Sequence, residues 1–180
     1  KLQGIDSAVF HRDSILHQGF MLDVASESFL DLNQNGQLDT LEWAGERILT
    51  DKLRFSNVNA FKDAKVGISR NRDFQNLFAG FFRAREDGIY EFKLKQQDDK
   101  AAIWLDLDQD GIFEHDSVDV EFVAQGQEHK TVYLQEGLYM FAVPHVQGNG
   151  GASLDVQFRT PSIKSGSKEL VTIEPGLSSQ

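Results

Sequence analysis

Apolar and polar residues alternate along most of the chain after residue 74. In GIYEFKLKQ, Tyr90, Phe92 and Leu94 alternate with charged residues, and Ile89 is the one apolar residue on the charged face. The segments VDVEFVA, KTVYLQEGLYMFAVPHV and ASLDVQFRT follow the same period, and AAIWLDL forms a short apolar run. A period of two predicts half-buried antiparallel strands. Glycine-containing turns separate these runs at the spacing of a sandwich, so the pattern predicts an all-β antiparallel β-sandwich.

The first third of the chain has a weaker pattern, with only faint strand signals before residue 25. The segment WAGERILTDKL predicts a short helix near residues 40–49, which Gly45 weakens. We expect a single sandwich domain over residues 1–162. The Ser-, Gly- and Pro-rich residues 163–180 predict a linker with one edge strand around Leu170–Ile173.

Composition narrows the class of partner. Apolar residues make up 40% of the chain and include 14 Phe, which is enough for a sizeable core. The net charge of −10 argues against nucleic acid or an anionic membrane as the partner, because both require a basic surface. No apolar run is long enough for membrane insertion. Cysteine is absent, so an extracellular domain of this kind needs another stabilising element, and calcium is one candidate.

The strongest local motif is DLNQNGQLDTLE, from Asp31 to Glu42. An EF-hand-type loop has oxygen ligands at positions 1, 3, 5, 9 and 12, a backbone carbonyl at position 7 and Gly at position 6. Those ligand positions hold Asp31, Asn33, Asn35, Asp39, Glu42 and, through its carbonyl, Gln37. The motif predicts a structural calcium loop, and the alternative is a polar Asn-Gly turn.

A second acidic motif, DLDQDGIFEHDS, follows the AAIWL strand. Its candidate calcium ligands are Asp106, Asp108, Asp110, Glu114, Asp116 and the carbonyl of Ile112. Ser117 stands at position 12 and cannot give the bidentate contact of a carboxylate. The alternative is a solvated acidic hairpin turn, for which the Asp-Gly pair alone would suffice.

Asp98 and Asp99 form a third acidic feature. Adjacent side chains on a strand point to opposite sides, so the residues alone favour a polar hairpin tip over a shared ion. If Ala101–Leu105 is a strand, it separates this pair from Asp106 by about 17–20 Å. The two clusters would then lie at opposite ends of that strand and could not share an ion.

The segment HVQGNGGAS is a glycine-rich tip between two predicted strands. It lacks the lysine and the following helix of a phosphate loop, so it predicts either a flexible hairpin loop or a loop that offers carbonyls and Asn149 to an ion. The five histidines are scattered, and the chain contains neither HExxH nor G-x-S-x-G. We therefore expect a protein that is not an enzyme.

The order of these motifs resembles the protective-antigen (PA-fourteen) β-sandwich domain, which occurs in anthrax toxin, adhesins and glycosidases. The resemblance runs from about residue 74 to 160 and is carried by FAGFFRAREDGIYEFKLKQQDDKAAIWLDLD, VYLQEGLYMFAVPHV and GGASLDVQF. In the sugar-binding members an Asp-Asp pair and a second loop hold a calcium that binds the vicinal hydroxyls of a sugar. The resemblance therefore implies a calcium site formed by Asp98, Asp99, Gln147, Gly148, Asn149 and Gly151.

This resemblance implies a calcium-dependent lectin module of a secreted or cell-surface adhesin, within a larger multidomain chain. Its partner would be a cell-surface glycan or polysaccharide. The two acidic loops depart from the family pattern, and we interpret them as sites of additional structural ions. Two alternatives are a calcium-rigidified spacer and an accessory carbohydrate-binding domain of a secreted hydrolase.

Overall fold

The structure, a computed structural model, describes residues 15–21, 42–43, 48–50, 53–97, 100–110, 120–123, 129–162 and 171–172. Within these residues the chain forms twelve strands and one short helix. In chain order the elements are β1 (Ile15–Met21), β2 (Glu42–Trp43), β3 (Ile48–Thr50), β4 (Arg54–Phe55), α1 (Val58–Asp63), β5 (Phe74–Ala84), β6 (Gly88–Gln97), β7 (Lys100–Leu105), β8 (Val120–Val123), β9 (His129–Leu134), β10 (Gly137–Gln147), β11 (Leu154–Arg159) and β12 (Val171–Thr172).

The strands form two antiparallel sheets. The first has the order β2-β1-β5-β10-β7-β8, with β3 also paired to β1. The second has the order β12-β11-β6-β9, with β4 also paired to β11. The predicted all-β antiparallel sandwich is confirmed. No helix in the described part of the chain has the length and apolar character of a membrane span.

The two sheets enclose one aromatic core, which the predicted alternation builds. Tyr90, Phe92 and Leu94 are buried on the inner face of β6, whereas Ile89 is 63% exposed on its outer face. Phe82 of the first sheet contacts three rings of the second at centroid distances of 5.1–5.6 Å in edge-to-face geometry: Tyr90, Phe92 and Phe158. Burial of apolar area and aromatic pairing together hold the sheets face to face.

The helix predicted near residues 40–49 is wrong for the part of that segment that the structure describes. Glu42–Trp43 and Ile48–Thr50 are strands that pair with β1. Trp43, Ile48 and Thr50 are aromatic or β-branched, and an available sheet edge outweighs the weak helix propensity of a segment interrupted by Gly45.

The described helix lies further along the chain, at Val58–Asp63. The side chain of Asn57 caps it by accepting a hydrogen bond of 3.1 Å from the Ala60 N–H. The helix buries Phe61 completely, and the Phe61 ring stacks on Phe55 of β4 at 4.6 Å. Six residues are too few to show a helical period in the sequence, so the cap is the main local signal.

β1 lies close to the segment that follows the helix, and Gly19 makes this approach possible. A Cβ atom at Gly19 would lie 2.8 Å from the Val66 carbonyl oxygen and 2.9 Å from Val66 Cγ2. The carbonyl is backbone and cannot move aside without displacing its segment.

Gly19→Ala is therefore expected to reduce the free energy of unfolding by about 1–3 kcal/mol, as overpacking does elsewhere. Urea denaturation measures this change in the free energy of unfolding. Gly137→Ala is the matched control, because a Cβ there meets atoms only at 3.6 Å or more. Equal stability of the two variants would contradict the close approach.

Candidate functional site

Two chain connections cross between the sheets at the same end of the sandwich. The loop of residues 148–153 leaves β10 in the first sheet and enters β11 in the second. Its flanking residue Val146 pairs with Lys100, and Leu154 pairs with Gln97. Gln97 and Lys100 are the residues on either side of the predicted Asp-Asp pair. The strand register thus brings the described flanks of both predicted segments together.

The members of the predicted calcium loop have different exposures. Asn149 and Gly151 are exposed, and Gly148 is half-buried with its carbonyl accepting a hydrogen bond of 3.0 Å from the Asp73 N–H. Gly150 has a φ of 98°, which favours glycine, and its surroundings are open. Ala152 is buried again, so the exposed part of the loop is short.

Gln147 is completely buried at the base of this loop. Neither its Oε1 nor its Nε2 atom has a hydrogen-bond partner among the described residues. A buried amide without partners costs free energy, whereas a ligand that meets its oxygen would recover part of that cost. Amide oxygens are ligands that calcium accepts, so Gln147 Oε1 is chemically suited to bind a calcium ion.

Asp98 and Asp99 themselves lie outside the described residues. Their assignment as calcium ligands therefore stays a prediction.

The second acidic motif forms a tight carboxylate cluster where β7 ends. Oxygen atoms of Asp106, Asp108 and Asp110 all lie within 4.8 Å of one another. Oxygens bound to one calcium at its usual ligand distances lie at most about 5 Å apart, so this donor set fits such an ion. Ile112, Glu114 and Asp116 are outside the described residues.

The loop backbone brings these carboxylates together. The Asp106 N–H donates a 2.9 Å hydrogen bond to the Met140 carbonyl of β10, which fixes the start of the loop. Gln109 adopts a φ of 64°, and the Asp110 N–H donates to Asp108 Oδ1 at 3.2 Å. Asp106 is 2% exposed, whereas Asp108 and Asp110 are exposed. The cluster therefore reaches from the protein interior to the solvent.

Most of the predicted EF-hand-type loop lies outside the described residues, including Asp31, Asn33, Asn35, Gln37 and Asp39. Glu42 is described as part of β2, where it pairs with Met21.

A buried row of polar side chains, which the sequence analysis missed, crosses the first sheet below the glycine-rich loop. His17 of β1 donates from Nε2 to Asn76 Oδ1 at 2.7 Å, and Asn76 Nδ2 donates to His145 Nδ1 at 3.1 Å. All three residues are completely buried. Phe78 stacks on His17 at 4.2 Å, and Phe61 stacks on His145 at 4.9 Å. The signal in the sequence that could have revealed this row is a polar residue at an inward position of an alternating strand.

The comparisons with known proteins agree with this architecture. Residues 74–160 match the GLEYA domain. The Epithelial Adhesin 6 A domain from Candida glabrata, solved in complex with Galb1-3GlcNAc, is 13% identical with a TM-score of 0.60, over 91% of this chain and 85% of that chain. The PA14 domain of the antifreeze protein MpAFP is 12% identical with a TM-score of 0.58, over 90% and 87% of the two chains.

The sandwich has a protective-antigen-like fold. No curated protein matches the chain. The chain also resembles part of an alpha-xylosidase from Xanthomonas citri, at 12% identity and a TM-score of 0.53, over 83% of this chain. It spans only 14% of that enzyme. At these identities the likeness of the chain to its solved neighbours concerns the fold.

The polar row makes the stability of this sandwich sensitive to pH. Burial lowers the pKa of His17 from 6.5 to about 4, and the hydrogen bond with Asn76 opposes that shift. The unfolded chain therefore takes up a proton near pH 6.5 that the folded chain does not accept until about pH 4. The contribution of His17 is complete above pH 6.5 and is lost as the pH falls towards 4.

We expect this loss to reach about 3 kcal/mol, because folding lowers the pKa of His17 from 6.5 to about 4. His17→Gln keeps a donor for Asn76 but cannot titrate. As the pH is lowered from 7.5 to 4, the free energy of unfolding should fall less steeply in the variant than in the wild type. Parallel curves would contradict a neutral, buried His17.

Proposed function

We propose that this protein is a calcium-dependent carbohydrate-binding module of a secreted or cell-surface adhesin. A calcium held by Asp98, Asp99 and the loop at residues 147–151 would bind two vicinal hydroxyls of a sugar. The observation that carries this proposal is the register at one end of the sandwich. Val146 pairs with Lys100 and Leu154 with Gln97, so the flanks of the Asp-Asp pair and of the Asn149 loop are neighbours.

The loop and its base offer one buried and one exposed side-chain amide to such a site. Gln147 Oε1 is a buried neutral oxygen without a hydrogen-bond partner in the described residues, and Asn149 carries its amide at the exposed tip. Calcium binds oxygen ligands and exchanges bound water for the hydroxyls of a neutral diol. The proposal is further supported by the adhesin A domains among the structural neighbours, which were solved in complex with sugars.

A site of this kind has modest affinity, because the sugar replaces water on an ion without burying a large area. Several copies on one surface would raise the avidity by effective concentration. We propose binding without catalysis, and a glycosidase assay of this chain should detect no turnover.

A glycan array probed with and without a chelator tests this function. We expect hits that require calcium, and a complete absence of calcium-dependent hits would contradict the proposal. The spacer alternative predicts that absence.

Asp99→Ala and Asn149→Ala should each weaken binding to a hit glycan by about tenfold or more, because each removes an oxygen from the site. Isothermal titration calorimetry measures the loss. The matched controls are Asp63→Ala and Asn59→Ala, which remove an exposed carboxylate and an exposed amide from α1. Retained binding in Asp99→Ala would contradict its assignment.

We also propose that Asp106, Asp108 and Asp110 hold a structural calcium. Each site saturated a hundredfold above its dissociation constant adds about 2.7 kcal/mol of stability, so chelation should lower the melting temperature by roughly 5–10 °C. Asp108→Asn should reduce that shift, whereas Asp63→Asn at an exposed helix position should not. An unchanged melting temperature after chelation would contradict calcium binding by the chain.

An accessory role in a hydrolase is a second candidate, favoured by matches that cover only 14% and 16% of two glycosidase chains. A catalytic domain in the same gene would support it.

A further inference from the structure

The opposite end of the sandwich carries an open pocket of about 410 Å³. It lies where β5 ends and β10 begins, and it is lined by Arg83, Ala84, Arg85, Glu136, Gly137 and Leu138. Gly137 and Gln147 stand ten residues apart on β10, which corresponds to about 33 Å. The pocket is therefore separate from the Asn149 loop.

Hydrogen bonds within one turn and between two turns hold the rim of this pocket. The Glu136 N–H donates to Asp87 Oδ1 at 2.7 Å, which ties the turn before β10 to the turn before β6. The Tyr139 hydroxyl donates to the Gln135 carbonyl at 3.1 Å, and it accepts from the Gln135 N–H at 3.1 Å. A rim fixed in this way needs little reorganisation when a ligand binds.

The pocket lining carries two arginines and one glutamate, which leaves a formal excess of positive charge on a chain with a net charge of −10. Arg83 and Arg85 are both exposed; Arg83 is the last residue but one of β5, and Arg85 follows the strand directly. Arg83 forms no ion pair with any residue that the structure describes. A guanidinium stays protonated at any ordinary pH and binds carboxylate or sulfate oxygens in a planar, bidentate geometry. The charge complementarity of the pocket is therefore to an anion.

The other lining residues restrict the class of anion that the pocket can bind. Leu138 is half-buried and Ala84 is buried, so together they give the pocket an apolar surface. Glu136 would repel a bare anion but would accept a hydrogen bond from a hydroxyl. A ring that carries one carboxylate, several hydroxyls and apolar C–H groups matches all three features.

We propose that this pocket binds the acidic sugar of a polysaccharide, a hexuronic acid. Arg83 and Arg85 bind its carboxylate, Glu136 accepts a hydrogen bond from one of its hydroxyls, and Leu138 packs against its ring. The choice of a sugar over an acidic peptide rests on the proposed carbohydrate-binding function, whereas the choice of an anion rests on the pocket alone.

Methyl glucuronide and methyl glucoside test this proposal, because they differ in the carboxylate. Calorimetric titration of the full chain in calcium buffer should give at least about tenfold tighter binding of the glucuronide. Higher ionic strength should weaken that binding, because the site is exposed. Equal binding of the two sugars, or no binding of either, would overturn the proposal.

Variants locate the site. Arg83→Gln with Arg85→Gln should weaken glucuronide binding by about tenfold or more, whereas the exposed Arg70→Gln should leave it unchanged. Glu136→Gln should strengthen the binding of inorganic sulfate and weaken that of the glucuronide. Loss of binding in Arg70→Gln, or tighter glucuronide binding in Glu136→Gln, would contradict the assigned roles.

Two further measurements distinguish this pocket from the proposed calcium site, and an acidic sugar from an acidic peptide. Asn149→Ala should keep glucuronide binding while it loses the neutral glycan, so either site can fail without the other. Binding of a poly-glutamate peptide without binding of the glucuronide would identify an acidic protein as the ligand. This result would overturn the proposal that the ligand is an acidic sugar.

Discussion

Eleven consecutive residue pairs join β5 to β10, from Gly137–Ala84 to Gln147–Phe74, and both ends of the molecule depend on this ladder. At one end it aligns the turn before β10 with the end of β5. At the other it carries the chain to Gln147 and into the glycine-rich loop. Because a slip of one residue would turn every inward side chain outward, the buried aromatics of both strands hold this register in place.

The fold was predictable from the sequence wherever one period governed a whole strand. Tyr90, Phe92 and Leu94 alternate without interruption, and the structure buries all three. The segment around Trp43 and Ile48 was not predictable, because its short strands form by pairing with a distant partner and local propensity is then a weak guide. The buried His17–Asn76–His145 row likewise depends on a register between three strands that no local pattern contains.

The candidate sites divide in the same way. Asp106, Asp108 and Asp110 are close in sequence, and their alternating spacing with a glycine predicted the cluster that the loop forms. The expectation that Asp98 and Asp99 lie near Asn149 came from family resemblance, because these residues are about fifty positions apart, and the structure pairs only their described flanks. The pocket of Arg83 and Glu136 had no signal, because two strand ends and a turn create it only after the sheet has formed.

The loop of residues 148–153 has its two ends anchored in different sheets, at Val146 and Leu154. Residues between these anchors can change in number and kind while both strands keep their partners. The loop can thus be exchanged while the strands on either side of it stay fixed. Over evolutionary time the aromatic core can keep the two sheets unchanged while the loop diverges, so two proteins with this sandwich can share their shape and differ in what they recognise.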